Sequence, residues 1–210
     1  MSKENEIQKM KLLVVEGNHE RDFFNAWLTY LGIADIQVLA IGGKTRLSAN
    51  LIDLKKQSSF PSVVSLVIMR DADDNPIGAF QSVCSALDGA GLPIPVAIEQ
   101  YITRDSLKVA AVITPCNGRN GALEELLLET ATADQLSPIA ATYIDGAVAG
   151  LNENHARPAP PMHKQGKAKI HAFLATFEEP DKDPGKAALA GVWDFDHQAL
   201  DPIRTILFQM

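Results

Sequence analysis

Two acidic groupings stand at the ends of apolar runs. Glu16 closes the run Lys11–Glu16 (KLLVVE), and Asp71 and Asp73, with Asp74 beside them, follow the run Val63–Met69. In a parallel α/β sheet, ligand groups collect at the carboxyl ends of the strands. Gly17 behind Glu16 lets the chain turn tightly there. A switch in strand order near these ends would bring Glu16 and the aspartates into one crevice. Carboxylates gathered with nothing basic between them repel one another unless a cation neutralises them. Oxygen-only donors, with no interleaved His or Cys, select Mg²⁺ or Mn²⁺. An ion held by a few carboxylates keeps water positions open, as phosphoryl chemistry requires. A strand-terminal Glu taken alone is an ordinary solvated carboxylate. Paired in register with an Asp-x-Asp, the metal-binding reading of Glu16, Asp71 and Asp73 is the stronger.

Other residues carry two readings each. Lys44 and Arg46, after Gly42-Gly43, fall on the same rim and either hold a substrate phosphate beside a helix N-terminus or form a solvated helix start. Asp194, Asp196 and His197 lie in an alternating WDFDH segment, which reads as a short strand with its polar face outward. His19, His155, His163 and His171 show no metal-ligand spacing. The DADDN segment lacks the Thr or Val that haloacid-dehalogenase-type phosphatases place after the second Asp; Asn75 stands there. Ser48, Ser65 and Ser106 have no nucleophile-elbow context, and no glycine-rich phosphate loop of the Walker type is present.

The elements that must position the acids alternate. Lys11–Glu16 reads as a buried parallel strand. Phe23, Phe24, Trp27, Leu28 and Leu31 then mark one helical face, with Gly32 as a stop. Ile36–Ile41 is a second strand, and Leu47, Leu51 and Leu54 mark a second helix. Val63–Met69 is the third strand, and Ile77, Phe80, Val83, Cys84 and Leu87 mark the third helix. This order implies a mainly parallel, Rossmann-like sheet flanked by helices, with right-handed crossovers. Pro95–Tyr101 and Leu107–Thr114 read as further strands with a turn around Arg104-Asp105. Ala122–Ala131 and Leu136–Leu151 read as helices, and 152–161 as a proline-rich loop. Two more helical faces follow, Ile170/Phe173/Leu174/Phe177 and Leu200/Ile203/Ile206/Leu207, separated by an acidic loop over 178–185. The chain thus divides into an α/β core over 8–120 and a mostly helical C-terminal extension over 121–210 packed on it.

Composition sets outer bounds. The 210 residues, 46% hydrophobic and 21% charged, suffice for a substantial core. No apolar run approaches a membrane span, and the polar N-terminal stretch lacks the apolar segment of a secretory signal. A cytoplasmic protein with no membrane partner is expected. Cys84 and Cys116 sit among apolar neighbours and read as buried free thiols. The net charge of −7 argues against tight, autonomous duplex binding, because phosphate neutralisation supplies much of that affinity.

The motifs carry a resemblance. LLVVEG followed by HERDFF, then VIMRDADDN after the next-but-one strand, is similar to the Toprim domain of topoisomerases, bacterial primases, small ribonucleases and OLD-family nucleases. The VEGxxE form, with Glu20 in the first helical turn, is closer to the OLD-like branch. This likeness covers about residues 10–90. Through NGRNGALEELLLE, KIHAFLA and WDFDHQALDPIRTIL, the whole chain also resembles a group of stand-alone bacterial Toprim-like proteins of unassigned function. The resemblance implies metal-dependent cutting or joining of phosphodiesters, with Asp71 and Asp73 as Mg²⁺ ligands and Glu16 as ligand or general acid/base. It implies Glu20 and Glu124 as second-metal ligands, although negative charge is also ordinary at a helix N-terminus. Glu125 reads as structural. OLD-like enzymes use a late lysine near the metals, which points to Lys167 among Lys164, Lys167 and Lys169; three lysines around a glycine also suit a solvated helix entry. The leading expectation is a Mg²⁺-dependent nuclease or phosphodiesterase acting on DNA or RNA, holding nucleic acid weakly without a partner. Because OLD-like nucleases usually carry an ATPase domain, a partner ATPase or other protein is implied. A non-catalytic Toprim-like binding module and a small-nucleotide phosphohydrolase remain as alternatives.

Overall fold

The computed structural model describes residues 6–131, 136–154, 158–160, 164–179 and 183–210. The elements are β1 (Lys11–Val15), α1 (Asn18–Tyr30), β2 (Ile36–Ala40), α2 (Leu47–Lys55), β3 (Ser65–Asp71), α3 (Pro76–Gly89), β4 (Ile102–Arg104) and β5 (Leu107–Thr114). The helices α4 (Leu123–Thr130), α5 (Leu136–Asn154), α6 (Gln165–Leu174), α7 (Pro184–Leu189) and α8 (Asp201–Gln209) follow. The strands form one sheet in the order β2-β1-β3-β5-β4. β1, β2, β3 and β5 are parallel, and the short β4 runs antiparallel at the edge.

Side chains alternate along each strand, so the sheet feeds two cores. Leu13, Val15, Val67 and Val112 face Phe23 and Trp27 of α1 together with Leu126, Phe173 and Ile203 of α4, α6 and α8. Leu12, Val14, Leu66 and Ile68 face Leu51 and Leu54 of α2 and Val83 and Leu87 of α3. Burial on both faces explains why these strands read as unbroken apolar runs. Each fully buried Leu or Phe contributes about 1.5–3 kcal/mol.

This layering fixes where a site can form. The chain leaves β1 by α1 toward β2, then returns over the other face through α2 to β3 on the far side of β1. Crossovers of one hand require opposite faces for opposite directions. The strand order therefore reverses between β1 and β3, whose carboxyl ends carry Glu16 and Asp71.

The sequence expectations need five adjustments. Pro95–Tyr101 is not a strand: its two-proline entry and Glu99, at φ 61°, break the ladder, and the edge strand is Ile102–Arg104. Ile77 is exposed, and α3 buries Ala79 and Ala86 with Val83 and Leu87. α5 continues to Asn154, into the stretch read as loop. α7 begins inside the acidic stretch and runs beyond it, opened by the Asp183 side chain, which accepts the Lys186 N–H at 2.9 Å. Trp193 and Phe195 are buried and Asp194 and Asp196 exposed, as the alternation implied, but no strand forms there. Residues 155–157, with His155, and 161–163, with His163, lie outside the described residues, as do 180–182 of the acidic loop. Both cysteines are free; Cys116 is buried and Cys84 half-buried. Among the described residues, no helix is long and apolar enough to cross a membrane.

Candidate metal centre

Glu16 is the first residue beyond β1, and its carbonyl accepts the Gly43 N–H at 2.8 Å, tying the β2–α2 loop to the same rim. α1 begins two residues later. The carboxylate of Glu20, in the first turn of α1, folds back over Gly17, where a Cβ would stand 2.8 Å from Glu20 Oε2. The Gly in VEGxxE thus makes room for the second acid.

Asp71 ends β3 directly opposite Thr114 of β5. The Thr114 hydroxyl donates to Asp71 Oδ1 at 2.6 Å, and the Leu123 N–H donates to the same oxygen at 3.0 Å. Leu123 opens α4, so the positive end of that helix points at Asp71, and Glu124 is the next residue along it. Both bonds fall on Oδ1; Oδ2 is not needed to hold the side chain in place.

The loop after β3 is pinned from both sides. The Ala72 N–H donates to the Thr114 carbonyl at 2.9 Å, extending the ladder. Asp73 sits at φ 49°, in the left-handed region where Asp is among the tolerated residues. It is held there by a two-way bridge: its N–H donates to the Gly121 carbonyl at 2.8 Å, and its carbonyl accepts the Gly121 N–H at 2.7 Å. Gly121 has φ 124°, which side-chain-bearing residues rarely adopt. Asn75 caps α3, its Oδ1 accepting the Gly78 N–H at 2.9 Å.

The predicted acids are close enough to perturb one another. Burial pushes Asp71 well above the ordinary carboxylate range; the Thr114 hydrogen bond opposes this, and the charges of Glu124, Glu16 and Glu20 add to it. Burial also raises Glu16, against the Arg70 guanidinium and a hydrogen bond from the Asp71 backbone, with Glu20 and Asp73 adding to the rise. Burial raises Glu20, and among its neighbours Glu124 adds while His19 and Lys167 oppose. Glu20 and Glu124 both border a gap of about 10 Å³, roughly the room of one water.

The donors fit a hard divalent cation. All are carboxylate oxygens, and Glu16 Oε1 is buried without a hydrogen-bond partner. It faces Arg70 Nε at 3.8 Å, an ion pair too long for a hydrogen bond. Among the described residues, no three His, Cys, Asp or Glu side chains meet around one point. Holding an ion therefore requires these carboxylates to turn toward it.

The basic candidates are placed unevenly. Lys167, exposed on α6, lies within electrostatic reach of Glu20. Arg46 is exposed on the 3₁₀ turn after Gly43, on the Glu16 rim. Lys44 opens that turn, and its side chain lies outside the described residues. Glu125 is structural: its Oε2 accepts the Ala122 N–H at 2.7 Å, closing the first turn of α4. Its carboxylate fills the space where a Gly166 side chain would lie, with Oε1 1.9 Å from that Cβ position.

Sequence reading missed the residues that steady the acids. Thr114 and the Leu123 N–H become visible only through the β3–β5 register, which pairs strands with a helix and an irregular stretch between them. The Asp73–Gly121 bridge joins residues with α3, β4 and β5 between them, and nothing in the local composition announces it.

Residues 10–210 match the model of a family described as a protein of unknown function, DUF3226. No curated protein matches the chain. The structure of the hypothetical protein PH0156 of Pyrococcus horikoshii is similar, with a TM-score of 0.59 at 16% identity over 96% of this chain and 95% of that one. The C-terminal region of the Burkholderia pseudomallei OLD protein gives a TM-score of 0.47 at 16% identity, covering 97% and 99%. That of the Xanthomonas campestris pv. campestris OLD protein gives 0.45 at 16%, covering 96% and 98%. The Pyrococcus likeness shows a shared α/β fold.

Proposed function

The chain belongs to the DUF3226 family, and we propose that it is a Toprim-type phosphodiesterase that cuts DNA or RNA with Mg²⁺ or Mn²⁺. The observation that supports this reading is that Glu16 and Asp71 stand at the carboxyl ends of β1 and β3, either side of the strand-order switch, with Asp73 near enough to act on Glu16 and with Glu16 Oε1 left without a hydrogen-bond partner. Glu16, Asp71 and Asp73 would hold one ion, and Glu20 and Glu124 a second. Bound there, such ions polarise a phosphoryl oxygen and ease deprotonation of an attacking water.

The chain's own groups do the rest. Thr114 and the Leu123 N–H fix Asp71 before any ligand arrives. The Arg70 guanidinium, steadied by the Ser82 hydroxyl at 2.5 Å, flanks Glu16 and balances part of its charge. Burial raises Glu16 against the opposing Arg70 charge, the direction that favours a general acid or base. Lys167 and Arg46 stand at the periphery, where they would meet substrate phosphates. With a net charge of −7, affinity for nucleic acid alone is weak, and a partner ATPase or other protein would supply the missing grip.

One observation favours a second reading: among the described residues, no three acidic side chains already meet around a point. A module that keeps the fold and serves a partner without catalysis accounts for that equally. Cleavage assays on DNA and RNA with Mg²⁺ and Mn²⁺, run beside Glu16→Gln and Asp71→Asn, separate the two. The nuclease reading expects cation-dependent cutting that both substitutions abolish; activity that survives both would remove these residues from the reaction.

A further inference from the structure

A cleft of about 340 Å³ opens beside the acids, between the turn after β5 and helices α4 and α6. It meets the acid cluster at Asp73, whose backbone is bridged to Gly121 on the cleft wall. Its volume falls at the small end of ordinary ligand pockets, about 300–1,000 Å³, enough for one nucleoside and too little for a base pair.

The lining says what kind of group enters. The two cations are already engaged: Arg119 pairs with Glu129 and donates to the Pro115 carbonyl at 2.9 Å, and Lys169 pairs with Asp145 at 2.7 Å. With carboxylates also on the wall, the cleft has no surplus positive charge to draw a phosphate away from the acid site. It does offer two amides. Among the described residues Asn120, exposed, makes no hydrogen bond, and Gln165 makes one long bond, from Nε2 to the Pro160 carbonyl at 3.3 Å. An amide carries a donor and an acceptor side by side, the complement of a base edge.

We propose that this cleft receives one unpaired nucleoside of the substrate while the adjoining phosphate lies at the acid cluster. The inference rests on the phosphodiesterase reading and narrows its substrate to a single-stranded nucleic acid or a dinucleotide. A base pairs either with its complement or with the amides, so duplex must open before it can enter.

The test begins without any metal. The four ribonucleosides are titrated against the metal-free protein by saturation-transfer NMR and calorimetry. Saturable binding is expected, weakened roughly 2- to 10-fold by Asn120→Ala or Gln165→Ala, as befits one lost hydrogen bond each. Asn120 is exposed and makes no hydrogen bond among the described residues, so its replacement is expected to leave folding intact. With Mn²⁺, single strands or dinucleotides are expected to be cut in preference to duplex of the same sequence, and comparing those two arms identifies which source is used. Absent nucleoside binding, binding unchanged in the double variant, or duplex cut as readily as single strands overturns the proposal. Cutting of duplex would leave the phosphodiesterase reading standing, whereas nucleoside binding with no cleavage of any substrate would remove that reading and keep the pocket.

Discussion

Replacing Asp71 by Asn should make the metal-free protein more stable and deaf to metal. Asn keeps an acceptor oxygen for the Thr114 hydroxyl and the Leu123 N–H, which donate at 2.6 and 3.0 Å. It removes a charge that burial disfavours and that Glu124, Glu16 and Glu20 repel. Relief of a poorly compensated buried charge is worth about 1–3 kcal/mol. For a chain of this size that is a rise in Tm of about 2–12 °C. The wild type should gain on metal binding instead, by about 2.7 kcal/mol when the free ion is about 100-fold above its Kd. Thermal denaturation in EDTA and in saturating Mn²⁺, for wild type, Asp71→Asn and Asp71→Ala, measures both. Asp71→Ala strands the two donors and should fall below Asp71→Asn by about 1–3 kcal/mol. An Asn variant less stable than wild type in EDTA, or one that retains the full Mn²⁺ gain, would refute the reasoning.

Other outcomes follow from the same geometry. Because burial raises Asp71, Glu16 and Glu20 in the folded protein, their contribution is fully present below the unfolded value near pH 4. It is lost as pH climbs through the raised folded values; chemical denaturation across pH should show this decline in EDTA and its flattening in Mn²⁺. Thr114→Val should weaken Mn²⁺ binding by roughly 10- to 100-fold, while Thr114→Ser, which keeps the hydroxyl, stays near wild type in a Mn²⁺ electron-spin titration. Gly166→Ala places a Cβ 1.9 Å from Glu125 Oε1 and should cost about 1–3 kcal/mol in urea unfolding by prising α6 from α4.

The acids and the sheet that carries them were legible in the sequence. Buried parallel strands leave continuous apolar runs, and an acid at the end of such a run has few places to go but the carboxyl edge of the sheet. The reversal between β1 and β3, anticipated as the condition for a shared crevice, is present. What stayed hidden depends on long-range register or on local geometry. Thr114 acts on Asp71 only because β3 and β5 pair across an intervening helix. Asp73 takes its left-handed backbone from a bridge to Gly121, far along the chain. α7 is six residues long, too short for a helical period to declare itself, although Asp183-Pro184 is a fair start signal. Pro95–Tyr101 looked strand-like from its apolar residues, yet Pro93 and Pro95 withhold ladder donors at its start.

The central claim is that the carboxylates at the β1 and β3 ends hold a catalytic cation. A crystal soaked in Mn²⁺ and measured at the manganese edge tests it directly. The expected result is an anomalous peak about 2–2.6 Å from carboxylate oxygens of Glu16 and Asp71, with those side chains turned toward it. A protein that leaves this crevice empty at saturating Mn²⁺, or that gathers the ion around other residues, contradicts the claim.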